Sequence, residues 1–366
     1  MPFPFNCCCQ AKTSRSDIYR AAPNNEESEK IPTPHASLDS SRPAGSSMAN
    51  NTTEDGPPKY KWDRRREEGV DLSKYQVKNI DGDFVLKEDI NGQQMVIENC
   101  KRSVIAVLDV TGSVVIDDCI DCTIVVGPCN GSLFIRGSNN CRLFYVGQQF
   151  RLRDCRDIDI AIHCKTQPII ESATVIRFYP LSLYYPKLQE HLRVLGISPF
   201  GVGSRSIHDY TPSPDSLNYE LCNDQLRMDL ASIRELRRTA NISLDYSDSL
   251  FVQRQSVAPG VPRTLLIAVQ RTYERHDDFY NNAFEAAKHA NEQNLKITDI
   301  AEGVIDEELG DLLKSDFAAE IGNRLIILDV AGPVDAVTSL IEGEAGRTFR
   351  RLPHRYDNEI QQKFFP

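Results

Sequence analysis

The sequence predicts a mainly β chain with an α/β part at its C-terminal end: a parallel β-helix followed by a small α/β domain. Two patterns and one bound carry this prediction. Segments of one pattern, starting at 96, 115, 134, 151 and 169, recur at spacings of 17 to 19 residues. From 263 onward, apolar runs of strand length alternate with amphipathic runs of helix length. The bound is composition: 366 residues, 40% apolar and 26% charged, are enough for two domains with sizeable cores plus a tail.

Residues 1–58 read as a disordered tail. The stretch from Asn24 to Pro58 is rich in Ser, Pro, Asn and Glu and buries too little surface to offset its ordering entropy. Its start, "MPFPFNCCC", differs, placing Cys7, Cys8 and Cys9 side by side where no core can take them. Such a cluster suits S-acylation, and two or more acyl chains hold a protein stably at a membrane. Residue 2 is Pro, so the N-terminus as it stands is not a myristoylation signal.

Residues 59–215 hold the repeat. "VIENC" (96–100), "VIDDC" (115–119), "FIRGS" (134–138), "RLRDC" (151–155) and "IIESA" (169–173) align, and short second runs such as "VIAVL" (104–108) and "TIVVG" (123–127) lie between them. Units this short cannot bury an apolar face alone but can when stacked as coils. Ile97, Ile116, Ile135, Leu152 and Ile170 then form one interior ladder. Cys100, Cys119, Ser138, Cys155 and Ala173 form a second column of small residues, as at a tight inside corner. Half a zinc site at Cys119 and Cys122, completed by Cys129 and Cys141, is the alternative; with no second CxxC, structural corner thiols are the stronger reading. Eleven cysteines without a secretory signal point to a reducing compartment.

After the coils, "YYPKLQEHLRVLG" (184–196) places Leu188, Leu192 and Leu195 at helical spacing, to lie against the coils or cap them. Residues 216–262 hold a helix at 224–239 and a polar linker. In 263–366, strands at 264–270, 295–303 and 324–332 alternate with helices at 277–294, 306–321 and 333–345, the last opened by Pro333. That order means a small α/β sandwich.

Chemistry is thinly signalled. A net charge of −10 argues against a nucleic-acid partner. "GVGS" and "AGPVDA" are glycine turns without a phosphate-loop pattern, and the seven histidines form no metalloprotease or triad arrangement. What remains is "GQQFRLRDC" (147–155). Phe150 and Leu152 read as inward strand positions, so Arg151 and Arg153 share the outward face. Glu171 arrives one coil later, in Arg153's column and two positions from Arg151's. On pattern alone an inter-coil ion pair with either arginine is open, and it is the favoured reading.

The passages "QQFRLRDC" (148–155), "DIAIHCKTQPIIES" (159–172) and "SIHDYTP" (206–212) resemble the tubulin-binding cofactor C family. "KYKWDRRREEGVDLSKY" (59–75) and "VIDDCIDCTIVVGP" (115–128) look like the first and central coils of one branch of it. The resemblance implies a cofactor C-like β-helix, followed by a ferredoxin-like, nucleoside-diphosphate-kinase-like domain. It implies a GTPase-activating protein for Arf-like small GTPases, active on trafficking of lipidated proteins to ciliary or plasma membranes. The alternative is a non-catalytic effector or a tubulin-folding cofactor that binds tubulin. The family's arginine finger falls on Arg151, with Glu171 and Gln149 beside it in the catalytic set. Gln148, Phe150, Arg153, Asp154 and Tyr210 match its GTPase-facing surface, Tyr210 replacing a usual Phe. The GTPase in its GTP form would bring GTP and magnesium, so no cofactor or metal of its own is expected. The expected location is the cytoplasm and the cytoplasmic face of the plasma membrane or ciliary base, held through acylated Cys7–Cys9. The C-terminal domain lacks the kinase histidine motif, His276 and His289 lying in or before a helix, and a binding or scaffolding role is expected.

Overall fold

A computed structural model describes residues 71–364, apart from 201–205, 215, 253 and 318–319. The expectations for Cys7–Cys9 and for the segment 59–70 lie outside the described residues. Two sheets organise the rest: a twelve-stranded parallel assembly wound as a β-helix, and a four-stranded antiparallel sheet after it.

The coils stack in the register that the repeat implies. Val77, Ile97, Ile116, Ile135, Leu152 and Ile170 pair in succession from coil to coil. A second ladder, Val85, Ile105, Ile124, Leu143, Ile160 and Phe178, faces it across the interior. Apart from Val85, these side chains are buried. Each contributes about 1.5–3 kcal/mol by leaving water, which a lone coil with one side open could not collect. The short strands expected at 123–127 and 134–138 belong to one continuous strand, Thr123–Arg136, which shifts register between Val126 and Ser132 as it rounds a corner. The next coil does the same in Asn139–Arg153.

The corner column has a local cause. Asn99, Asp118, Gly137, Asp154 and Ser172 all have φ between 48° and 58°. Asn, Asp and Gly enter that left-handed region at least cost, which is why they crowd the turns. Immediately after them come Cys100, Cys119, Ser138 and Cys155, each donating its side-chain proton to the carbonyl two residues earlier at 3.0–3.4 Å. Their own carbonyls accept the next coil's backbone N–H of Ile120, Asn139, Arg156 and Thr174. The thiols are thus corner hardware. Burial raises the pKa of Cys100, and pushes those of Cys155 and Cys164 up to about 11. Among the described residues no His, Cys, Asp or Glu cluster has the geometry to hold a metal ion.

One wall of the β-helix is apolar on its outer side as well. Ala106, Leu108, Val125, Phe144, Val146 and Ala161 are buried under helix α1 (Leu188–Leu195), helix α2 (Leu230–Ala240) and the segments beside them. Helix α1 lies against the coils as its leucine spacing predicts, burying Leu188 and Leu192. Helix α2 starts six residues later than expected. Asp229 caps it by accepting from the Ser232 N–H at 2.8 Å, which leaves 224–228 outside.

The second sheet pairs strand Lys296–Val304 with Arg324–Ala331, that with Arg263–Val269, and that with Arg350–Arg351, all antiparallel. In chain order this is 2-3-1-4, the split β-α-β arrangement of ferredoxin-like folds. Helices α3 (His276–Glu292) and α5 (Val334–Glu342) cover one face. Helices α4 (Glu307–Phe317) and α6 (Asp357–Phe364) cover the other. The buried edge of α3 is Ala283, Ala286, Ala287 and Ala290, small side chains that let the helix approach the sheet closely.

Candidate functional site

Among the described residues no α-helix lies over the wall carrying Arg151, and its outward residues sort into columns. Pairing places Val96, Val115, Phe134, Arg151, Ile169 and His208 in one line. Beside it run Lys78, Glu98, Asp117, Arg136, Arg153 and Glu171. Lys78 pairs with Glu98 at 2.7 Å, and Arg136 holds Asp117 with two bonds of 2.5 and 2.7 Å while lying over the Phe134 ring. The second column is a ladder of charges that largely satisfy one another. The first, which Gln76 opens, is apolar and half-buried at Val96, Val115, Phe134 and Ile169, and Arg151 is the one formal charge among these residues.

The backbone under Arg151 is pinned at several points. Tyr145, fully buried, donates its hydroxyl to the Gln149 carbonyl at 2.8 Å. Gly147 has to be Gly, because a Cβ there would meet the Tyr145 hydroxyl at 2.2 Å. The Gln148 carbonyl accepts from the Thr166 N–H at 3.0 Å and its hydroxyl at 2.9 Å. Phe150 then anchors the strand from inside, 5.9 Å from the Tyr145 ring and 6.2 Å from Phe178, ring centroid to centroid. At 1% exposure Phe150 cannot touch a partner, so the surface role expected of it gives way to a supporting one.

Gln149, Arg151, Arg153, Asp154, Glu171 and Tyr210 are exposed, and Gln148 is half-buried. Register settles the columns: Glu171 pairs with Arg153, and Arg151 with Ile169. The expected inter-coil ion pair is not formed. Arg153 turns to its own neighbour, Asp154, at 3.0 Å. Among the described residues, no acid pairs with Arg151 and no base with Glu171. Asp154 is also a corner residue with φ of 53°. Beyond Glu171, the Tyr210 N–H bonds the Ile170 carbonyl at 3.0 Å. Its ring, 63% exposed, meets His208 edge-on at 4.4 Å.

Sequence reasoning passed over the apolar stripe itself and His208 at its end. The signal was present: Val96, Val115, Phe134, Arg151 and Ile169 share one position of the aligned repeat. Of the histidines, His163 is buried with Nε2 2.7 Å from the Ser198 carbonyl, and burial lowers its pKa to about 4. It ties the segment leaving α1 to the coils and sits apart from the Arg151 wall.

Within this β-helix, residues 92–210 match the family model of tubulin binding cofactor C. The chain is also similar to the XRP2 proteins, the retinitis pigmentosa 2 homologues. It is 36% identical over 176 residues to Protein XRP2 of Danio rerio, covering 48% of this chain and 46% of that one. Against Protein XRP2 of Homo sapiens the figures are 37% over 170 residues, covering 46% and 48%. Tubulin-folding cofactor C of Arabidopsis thaliana is 27% identical over 114 residues, covering 31% of this chain and 33% of its own. The chain thus spans about half the length of the XRP2 proteins it matches.

Proposed function

We propose that this chain is a GTPase-activating protein for an Arf-like small GTPase, with Arg151 as the arginine supplied in trans. The observation that carries the reading is a permanently charged side chain, unpaired among the described residues, on a backbone pinned from below and set in an apolar stripe. A surface arginine kept only for solubility needs no such mount. In GTP hydrolysis a water attacks the γ-phosphorus, the bond to the bridging β–γ oxygen breaks, and GDP leaves with the electron pair. Charge spreads over the phosphoryl oxygens and the bridging oxygen on the way. A guanidinium placed there by a second protein accelerates hydrolysis by about 10³–10⁵. The partner brings GTP, magnesium and the attacking water; the apolar stripe supplies contact area, and Gln148, Gln149 and Tyr210 its polar and aromatic rim. Glu171 stands diagonally one coil away, roughly 7–8 Å between backbones, within reach of the Arg151 fork once docking excludes water.

The test is single-turnover hydrolysis by a GTP-loaded Arf-like GTPase with this chain in excess. Arg151→Ala should abolish stimulation while binding to the GTP form persists, and Arg151→Lys should restore little. Equal stimulation by Arg151→Ala would sink the assignment. A second reading, a non-catalytic effector or tubulin-folding cofactor, is favoured by the same stripe, which offers binding area without needing the arginine. It predicts binding of the GTP form, or of tubulin, with no acceleration by the wild-type chain. Acylation of Cys7–Cys9 would place the activator on the cytoplasmic face of the plasma membrane or the ciliary base. Hydroxylamine-sensitive mass shifts on the N-terminal peptide test that step.

A further inference from the structure

The coil that carries Arg151 takes its corner one residue short. Gly147 pairs with Cys129 in the coil before and Cys164 in the coil after, and Arg151 pairs with Phe134 and Ile169. Four steps along the chain lead from Gly147 to Arg151, whereas Cys129 to Phe134 and Cys164 to Ile169 each take five. The register with the coil before shifts across this corner, between Cys129 and Ser132. A short corner leaves the chain no slack. Whatever fixes it also fixes the direction in which the Arg151 side chain leaves the wall.

The Tyr145 hydroxyl lies inside that corner. It donates to the Gln149 carbonyl at 2.8 Å, and the Leu133 N–H of the coil before points at its oxygen. One buried hydroxyl therefore joins the coil of Arg151 to its neighbour beside the register shift. A Cβ on residue 147 would lie 2.2 Å from that oxygen and 2.6 Å from the ring carbon bearing it. Residue 147 is thus Gly for space, with no left-handed φ to require it. Glycine is also the most permissive backbone, and here it stands just before Arg151 in the chain. The hydroxyl both imposes the glycine and restrains it. Burial raises the Tyr145 pKa well above 10, so the group remains a donor throughout the neutral range. On the outside of the same corner, the exposed Thr166 donates its hydroxyl to the Gln148 carbonyl at 2.9 Å.

We propose that Tyr145, with Thr166 as a second pin, is a positioning residue for Arg151: by stapling the short corner it sets the aim of the guanidinium toward the partner's phosphates. The inference rests on the GTPase-activating reading and adds to it a residue that pattern alone leaves in the core. Tyr145 is fully buried and out of a partner's reach, so it acts on the chemical step and not on docking.

The test is single-turnover hydrolysis by a GTP-loaded Arf-like GTPase over a range of concentrations of the full chain. This separates the maximal stimulated rate from the concentration that gives half of it. Tyr145→Phe deletes one oxygen and keeps the ring that packs on Phe150. It should lower the maximal rate about tenfold and leave the half-maximal concentration within about twofold. Thr166→Val keeps its backbone bond to the Gln148 carbonyl and should lower the maximal rate about threefold. Ile124→Val, a buried truncation in the coil before, controls for lost stability: its urea midpoint should fall while its maximal rate stays at the wild-type value. No stimulation by the wild-type chain overturns the GTPase reading, and the inference with it. Stimulation by the wild type that Tyr145→Phe matches overturns the inference alone. So does a Tyr145→Phe loss no larger than that of Ile124→Val, or one confined to the half-maximal concentration. If Tyr145→Phe does not fold, Thr166→Val decides by the same criteria.

Discussion

Two walls of the same β-helix share an interior and differ on the outside. On one, the outward Ala106, Val125, Phe144 and Ala161 are apolar without interruption and are buried under α1 and α2 and their flanking segments. On the other, the outward side alternates an apolar stripe with a ladder of charges, and among the described residues no α-helix covers it. Stacking sets the inward side, where each coil needs a bulky apolar residue against the next. The outward side is free to vary, so its composition decides what docks. A uniformly apolar wall must be covered within the chain, because exposed it would aggregate. A striped wall tolerates water and still offers a partner contact area. Arg151 stands on the wall that can stay open.

The difference can be broken from either side. The largest expected effect is on chemistry: Arg151→Ala lowers stimulated hydrolysis by about 10³-fold or more, with the urea midpoint of the protein unchanged. The wall comparison is sharpest in a matched pair. Phe144→Ala on the covered wall should cost about 3–5 kcal/mol of stability. Phe134→Ala on the open wall should cost about 1 kcal/mol while weakening the GTP-form complex about tenfold. Equal costs in chemical denaturation would mean that the open wall is not open.

His163 gives the third test, through pH. Burial lowers its folded-state pKa from 6.5 to about 4, so between those values the unfolded chain binds more protons. Its contribution is therefore present above pH 6.5 and is lost as pH falls toward 4. Urea midpoints should drop across that window, and less steeply in His163→Gln, which keeps a donor for the Ser198 carbonyl. The smallest effect concerns a corner. Val175 holds φ of 59°, where the preceding coils place Asp121, Asn140 and Asp157. A β-branched residue is strained there, and Val175→Asn should raise stability by about 1 kcal/mol, read from thermal midpoints.

Much of this was legible in the chain itself. The interior ladder from Ile97 to Ile170, the corner column and the outward aim of Arg151 follow from a period near 18 residues combined with strand alternation. The repeat did not say which acid an arginine would choose. Arg153 and Glu171 share a column, yet Arg153 bonds the adjacent Asp154, because a corner residue in left-handed conformation brings its own carboxylate closer than the next coil does. Phe150 shows the reverse case. Strand alternation alone placed it inside, and at 1% exposure it is inside, against the surface role that family resemblance suggested.

Local pattern therefore determined what needs only neighbours along the chain or one coil away: the coils, their register, their small-residue corners, and the α/β order after residue 263. Tertiary structure decided what depends on distant segments meeting. Which wall is covered depends on where α1, α2 and the segments beside them return. In the C-terminal domain one cleft is lined from positions as far apart as 269, 317 and 347, which no period links. In "GQQFRLRDC", the sequence aimed Arg151 outward, and among the described residues the fold brings no acid to hold it.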